Sequence, residues 1–134
     1  MTPVGVFLGC SYTDPTFGKV FRQYYPANTV ANDIVAFVQD DPDALFKAAA
    51  VSGTTVIAAF ARTFVGNNVA MVDNTGSTTT GDSAFAVTLT GAGTTATIPI
   101  RVIDVVPETA TAADTYTELL VKINTHQYNN TTGV

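Results

Sequence analysis

The chain has 134 residues, 46% of them hydrophobic and only 13% charged, with 11 acids against 6 bases and a net charge of −5. The bases Lys19, Arg22, Lys47, Arg62, Arg101 and Lys122 stand singly, so no basic stripe exists to neutralise phosphates and direct nucleic-acid binding is not expected. The longest apolar-leaning run, Val56 to Val65, is broken by Arg62 and too short to span a bilayer, and the opening Met-Thr-Pro-Val lacks the pattern of a secretory signal.

An average soluble domain is about 25% charged. Here Thr, Ser, Asn, Gly and Ala must cover the surface instead. Such a surface suits a protein packed against copies of itself or another protein; it equally suits an ordinary β-rich domain. The length fits one β domain over 1–134, with 1–28 as an N-terminal hairpin or arm and 129–134 as a tail. Cys10 is the only cysteine. It reads as a small buried hydrophobe, since it has no disulfide partner within the chain.

Val4, Val6 and Leu8 alternate with Gly5, Phe7 and Gly9, which predicts a strand with close backbone approaches at the glycines. Thr13 to Gly18 carries Asp, Pro and Gly, the residues of a turn. Lys19 to Tyr25 reads as the returning strand, so 4–25 is expected to be a hairpin with a loop of about five or six residues. Asp33 to Gln39 is dense in β-branched and aromatic residues and predicts a strand buried on both faces. After Asp40-Asp41-Pro42-Asp43, the stretch from Ala44 to Ala50 allows a short helix on alanine propensity. A strand of Leu45 to Val51 pairing back onto Ile34 to Gln39 is preferred.

Ser52-Gly53-Thr54 is expected to turn, and Val56 to Val65 could be strand or helix. Val69 to Val72 is a short strand. Asp73 to Asp82 is a polar loop with no apolar anchor. Phe85, Val87 and Leu89 alternate with Ala86, Thr88 and Thr90 as a strand, and Gly91-Ala92-Gly93 turns the chain. Thr97 to Val106 is a long strand whose start, at Pro99, must lie at an edge or bulge. Pro107 to Thr115 is a loop. In the closing segment Leu119, Val121 and Ile123 fall on one side as core, with Glu118, Leu120, Lys122, Asn124 and His126 on the other. Eight or nine short strands at this spacing predict an all-β sandwich or barrel with little helix.

Chemistry finds little purchase. Nucleophilic catalysis needs a base beside a nucleophile, and His126 is the only imidazole. It reads as a polar residue on the outward face of a structural strand. One His and one Cys cannot make a nitrogen- and sulfur-ligated zinc site. Asp40, Asp41 and Asp43 do not match a calcium loop and read as turn formers. Glu108 and Glu118 are the only glutamates, and no spacing pairs two carboxylates across a cleft. Gly76 to Gly81 has the gap of a phosphate loop, but Asp82 follows where Lys is required. No enzyme, cofactor or metal is therefore expected. Tyr24-Tyr25, with Tyr12 and Phe21, reads either as core packing or as an exposed aromatic patch for an interface. His126 and Tyr128 complete the candidate interface residues.

The segments Gly5 to Asp14, Tyr24-Tyr25-Pro26, Asp33 to Pro42, Gly76 to Gly81 and Leu120 to Tyr128 occur in an order that resembles the small virion structural proteins of tailed bacteriophages. The resemblance runs over most of the chain. It implies a capsid decoration, or cement, protein located on the virion, bound to the major capsid protein and to copies of itself. No catalytic residue comes with it. Members of that family carry a further stretch ahead of the Gly-Val-Phe segment, and this chain starts almost at it. The alternatives are a head-fibre or tail component, or a carbohydrate- or ligand-binding β-module using Tyr12, Tyr24, Tyr25 and Asn or Asp side chains.

Overall fold

The computed structural model describes residues 2–52, 55–56, 62–110 and 117–129. The fold is all-β. Among the described residues nine strands run in order: β1 (Val6–Asp14), β2 (Gly18–Arg22), β3 (Val35–Gln39), β4 (Leu45–Ser52), β5 (Thr55–Val56), β6 (Asn68–Val72), β7 (Ala86–Gly93), β8 (Ile100–Val105) and β9 (Glu118–Ile123). Among the described residues the only helical pieces are 3-10 turns at Arg62–Phe64, Pro107–Thr109 and Gln127–Asn129. None is long and apolar enough to cross a membrane.

The strands form two sheets. One is a three-stranded sheet in the order β2-β1-β3. The other runs β5-β4-β7-β6-β8-β9 and closes on itself because β9 also pairs with β4. The closed ring holds five strands. Strand direction cannot alternate all the way round an odd ring, so one neighbouring pair must be parallel. That pair is β4 and β7; β4–β9, β9–β8, β8–β6 and β6–β7 are antiparallel.

The interior of the ring is the core. Ala50, Val69, Val87, Leu89, Ile100, Val102, Val105, Leu119, Val121 and Ile123 fill it. β9 buries alternate residues, with Leu119, Val121 and Ile123 inside as its period-2 pattern predicts. The outside of this strand is laced by ion pairs from Glu118 to Lys47 on β4 and from Lys122 to Asp43 in the turn just ahead of β4. Arg62 reaches Asp104 on β8 in the same way.

Several expectations change. Leu45–Ser52 is a strand as preferred, but it pairs with β9 and β7, not with β3. The pairing partner β9 lies 71 residues along the chain at the Lys47–Glu118 contact, beyond any local pattern. β3 is exposed at every position rather than buried on both faces. On β7 the residues Ala86, Val87, Thr88 and Leu89 are all buried, so its alternation is not a solvent/core alternation. The Gly91 to Gly93 stretch stays within β7 as an irregular excursion, where Asn68 faces Gly93 and Ala70 faces Thr88. Half of the uncertain Val56 to Val65 stretch (57–61), the Gly53-Thr54 turn, and all but Asn129 of the tail lie outside the described residues.

Candidate interaction surface

The three-stranded sheet starts from a tight turn. Asp14 Oδ1 accepts the backbone N–H of Thr16 at 2.8 Å and of Phe17 at 3.1 Å. Gly18 then takes φ 74°, where a side chain is disfavoured. Three residues thus connect Asp14 to its partner Gly18, fewer than the expected five or six, because β1 runs on through the predicted turn residues Thr13 and Asp14.

Register sorts the side chains onto faces. Ser11 faces Phe21 on one side and Val35 on the other; Gly9 faces Phe37. Phe21, Val35 and Phe37 therefore share the outer face. The small residues Gly9 and Ser11 beneath them let Phe21 and Phe37 close over β1, where the rings stack at 6.5 Å and 14°. Phe21 is 73% exposed, Val35 50%, Phe37 43%, and Leu8, the extra residue at the β1 bulge, 60%. Together they leave on the order of 400 Å² of apolar surface in water, within the range where a patch on a monomer is often functional.

The opposite face of the sheet is covered in part, with Phe7 and its partner Val38 left 44% and 37% exposed. Cys10 and Tyr12 are buried there, and the segment after β2 folds across them. The Cys10 thiol donates to the Tyr24 carbonyl at 3.6 Å. The Tyr12 and Tyr25 rings meet edge to face at 6.4 Å. The Tyr25 hydroxyl donates to the Thr29 carbonyl at 3.2 Å, and the Thr29 hydroxyl donates to the Pro26 carbonyl at 2.7 Å.

One carboxylate ties the three strands together. Asp33, just before β3, accepts from the Thr13 backbone N–H at 2.9 Å, the Thr13 hydroxyl at 2.7 Å and Lys19 Nζ at 3.2 Å. These bonds, that from the Thr13 amide first, pull its pKa from 3.8 to about 2.

The sheet also meets the barrel. Gln127 N–H donates to the Pro3 carbonyl at 3.0 Å, and the Tyr128 hydroxyl donates to Asp40 Oδ2 at 3.1 Å. That bond and the Asp40 charge push the Tyr128 phenol pKa up. Gly81 lies directly under the Tyr24 ring, where an added Cβ would overlap it. The loop from Asp73 to Asp82 is thus anchored after all, by an aromatic ring contributed from elsewhere.

The candidate interface residues separate. Phe21 is on the bare face, and Tyr24 and Tyr25 are on the covered side. Tyr12 is 2% exposed and cannot join a surface patch with Phe21, because neighbouring register positions point to opposite faces. Tyr128 is exposed, held by Asp40. His126 is 0% exposed and is not an outward residue. The strand ends at Ile123, and the chain then turns so that His126 faces inward. Its Nδ1 accepts the Tyr128 N–H at 3.1 Å, its ring lies 5.2 Å from the Tyr128 ring, and Nε2 has no hydrogen-bond partner among the described residues.

The acidic run does not converge. Asp40 holds Tyr128, Asp41 Oδ1 accepts the Asp43 N–H, and Asp43 pairs with Lys122. Among the described residues no three acidic, His or Cys side chains gather as a metal site. The reading from sequence missed Phe37, Val35 and Leu8; the surplus of apolar residues in β3, which proves to be an edge, is the signal that could have found Phe37 and Val35, while Leu8 stands on the central strand β1.

Compared with known protein families, curated proteins and solved structures, the chain matches none.

Proposed function

We propose that the chain is a non-enzymatic virion structural protein, a capsid decoration protein that seats the outer face of its three-stranded sheet on the major capsid protein. The observation that supports this reading is the Phe21–Phe37 stack, held open to water with Val35 and Leu8 around it. A chain that builds its core inside a closed barrel has no folding need for a second apolar face. Burying that face in a contact repeated over a particle would give avidity without a strong single interface. Both edges of the sheet, β2 and β3, are unpaired among the described residues, which leaves backbone groups for a neighbouring subunit, a sister copy included.

The test is sedimentation of the purified protein with intact capsids of the phage that encodes it. Saturation at a fixed stoichiometry, with loss on substituting Phe21 and Phe37 by Ser, is the expected result. A folded protein that never sediments with capsids would remove the reading. A second reading, carbohydrate binding, rests on a different place, the cleft beside Tyr12 and Arg22.

A further inference from the structure

We propose that the cleft between the hairpin and the 26–30 segment binds an acidic sugar, a saccharide unit that carries a carboxylate. The cleft has a volume of about 510 Å³, within the range of small-molecule sites. It lies on the covered side of the sheet and does not depend on whether the outer face meets a capsid.

Arg22 is the centre of the argument. Among the described residues Lys19, Lys47, Arg62 and Lys122 each pair with a carboxylate, while Arg101 donates to the Asn68 side chain. Arg22 has no acidic partner among the described residues. Its Nε donates to the Tyr12 hydroxyl at 3.0 Å, and Tyr12 is buried. The guanidinium is therefore oriented by a rigid group, while neither Nη group donates a hydrogen bond among the described residues. A pre-oriented planar fork of this kind matches a carboxylate in bidentate fashion.

The other walls favour a sugar over a bare carboxylate. Asp14 spends Oδ1 on the turn amides, and its Oδ2 accepts no bond among the described residues. It lines the cleft without pairing to Arg22. Asn28, at φ 61°, is the one non-glycine residue with positive φ among those described, and its amide makes no hydrogen bond there. An acceptor and an amide set apart from a cationic fork suit hydroxyls beside a carboxylate. Tyr24 and Pro26 supply apolar surface for a ring face.

The experiment is titration of the full chain with glucuronic acid, followed by amide and Arg Nε NMR shifts. Glucose, acetate and a Glu-rich peptide serve as parallel arms. Shifts at Arg22, Asn28 and Tyr24 with glucuronic acid, and markedly weaker binding of the other three, are expected. Arg22→Gln should weaken binding about tenfold or more, the loss of a charge-assisted pair. Asn28→Gly keeps the backbone conformation and should weaken it a few-fold. Its unchanged melting temperature would separate lost recognition from lost folding. Equal binding of glucose would overturn the role of Arg22. Equal binding of acetate or the peptide would overturn the sugar assignment, and no shift with glucuronic acid would overturn the site.

Discussion

Phe21 and Phe37 stack across β1 at 6.5 Å, brought together over Ser11 and Gly9 although they sit on strands that never pair with each other. Phe21 lies largely in water and Phe37 is more than half buried, so Phe21→Ser should cost folding less than about 1 kcal/mol and Phe37→Ser about 1–2 kcal/mol. The same pair removed together should weaken capsid association by at least about tenfold, since aromatic anchors dominate interfaces. Thermal melts and capsid sedimentation on the same samples separate the two effects.

Asp33 links stability to acid. Its folded pKa of about 2 is below its ordinary 3.8, so the folded chain favours the carboxylate. The contribution is fully present above about pH 4 and is lost as pH falls toward 2. Asp33→Asn should flatten that part of the acid-stability curve. In a carboxyl NMR titration, Thr13→Val and Lys19→Met should each raise the Asp33 pKa, because the Thr13 hydroxyl bond and the Lys19 bond and charge each lower it. An unchanged value in Thr13→Val would mean that the hydroxyl bond is not made.

Gly81→Ala should destabilise the fold by about 1–3 kcal/mol, from its positive φ and from overlap with the Tyr24 ring. Combining it with Tyr24→Ala should cost less than the sum of the two single changes, since the overlap is gone and only the backbone strain remains. Additive losses in denaturant melts would show that the ring does not rest on Gly81.

His126 should be inert to acylating reagents in the folded protein and reactive once the chain is unfolded, which mass spectrometry reads directly because the chain has one histidine. His126→Ala leaves a hole and strands the Tyr128 N–H, and should cost about 2–4 kcal/mol. Rapid modification of the native protein would contradict the burial.

Leu119 is fully buried where β9 closes the ring against β4 and β8. Leu119→Ala should cost about 2–5 kcal/mol in equilibrium unfolding. A loss under 1 kcal/mol would place the stability of the chain outside the barrel.

Much of the strand content is legible in the residues themselves. Alternation alone puts Leu119, Val121 and Ile123 on the buried side of β9, and Asp14 with Gly18 marks the hairpin turn. The pattern fails where an apolar run does not say what covers it. Val35 to Val38 reads as doubly buried by the same logic that works inside the barrel, yet the chain offers it no second layer. The cleft was equally hidden. Arg22 looks like any scattered base until the fold sets its guanidinium on the Tyr12 hydroxyl, with no ion pair to an acid among the described residues.

The sequence by itself determined an all-β chain with its strands, its tight turns and an apolar face on β9, because period-2 alternation and turn chemistry are local. Only the tertiary structure decided which strands pair, that five of them close a ring with one parallel contact, that β3 faces water and that His126 does not. Those outcomes depend on residues tens of positions apart competing for one interior, and nothing local records which of them wins.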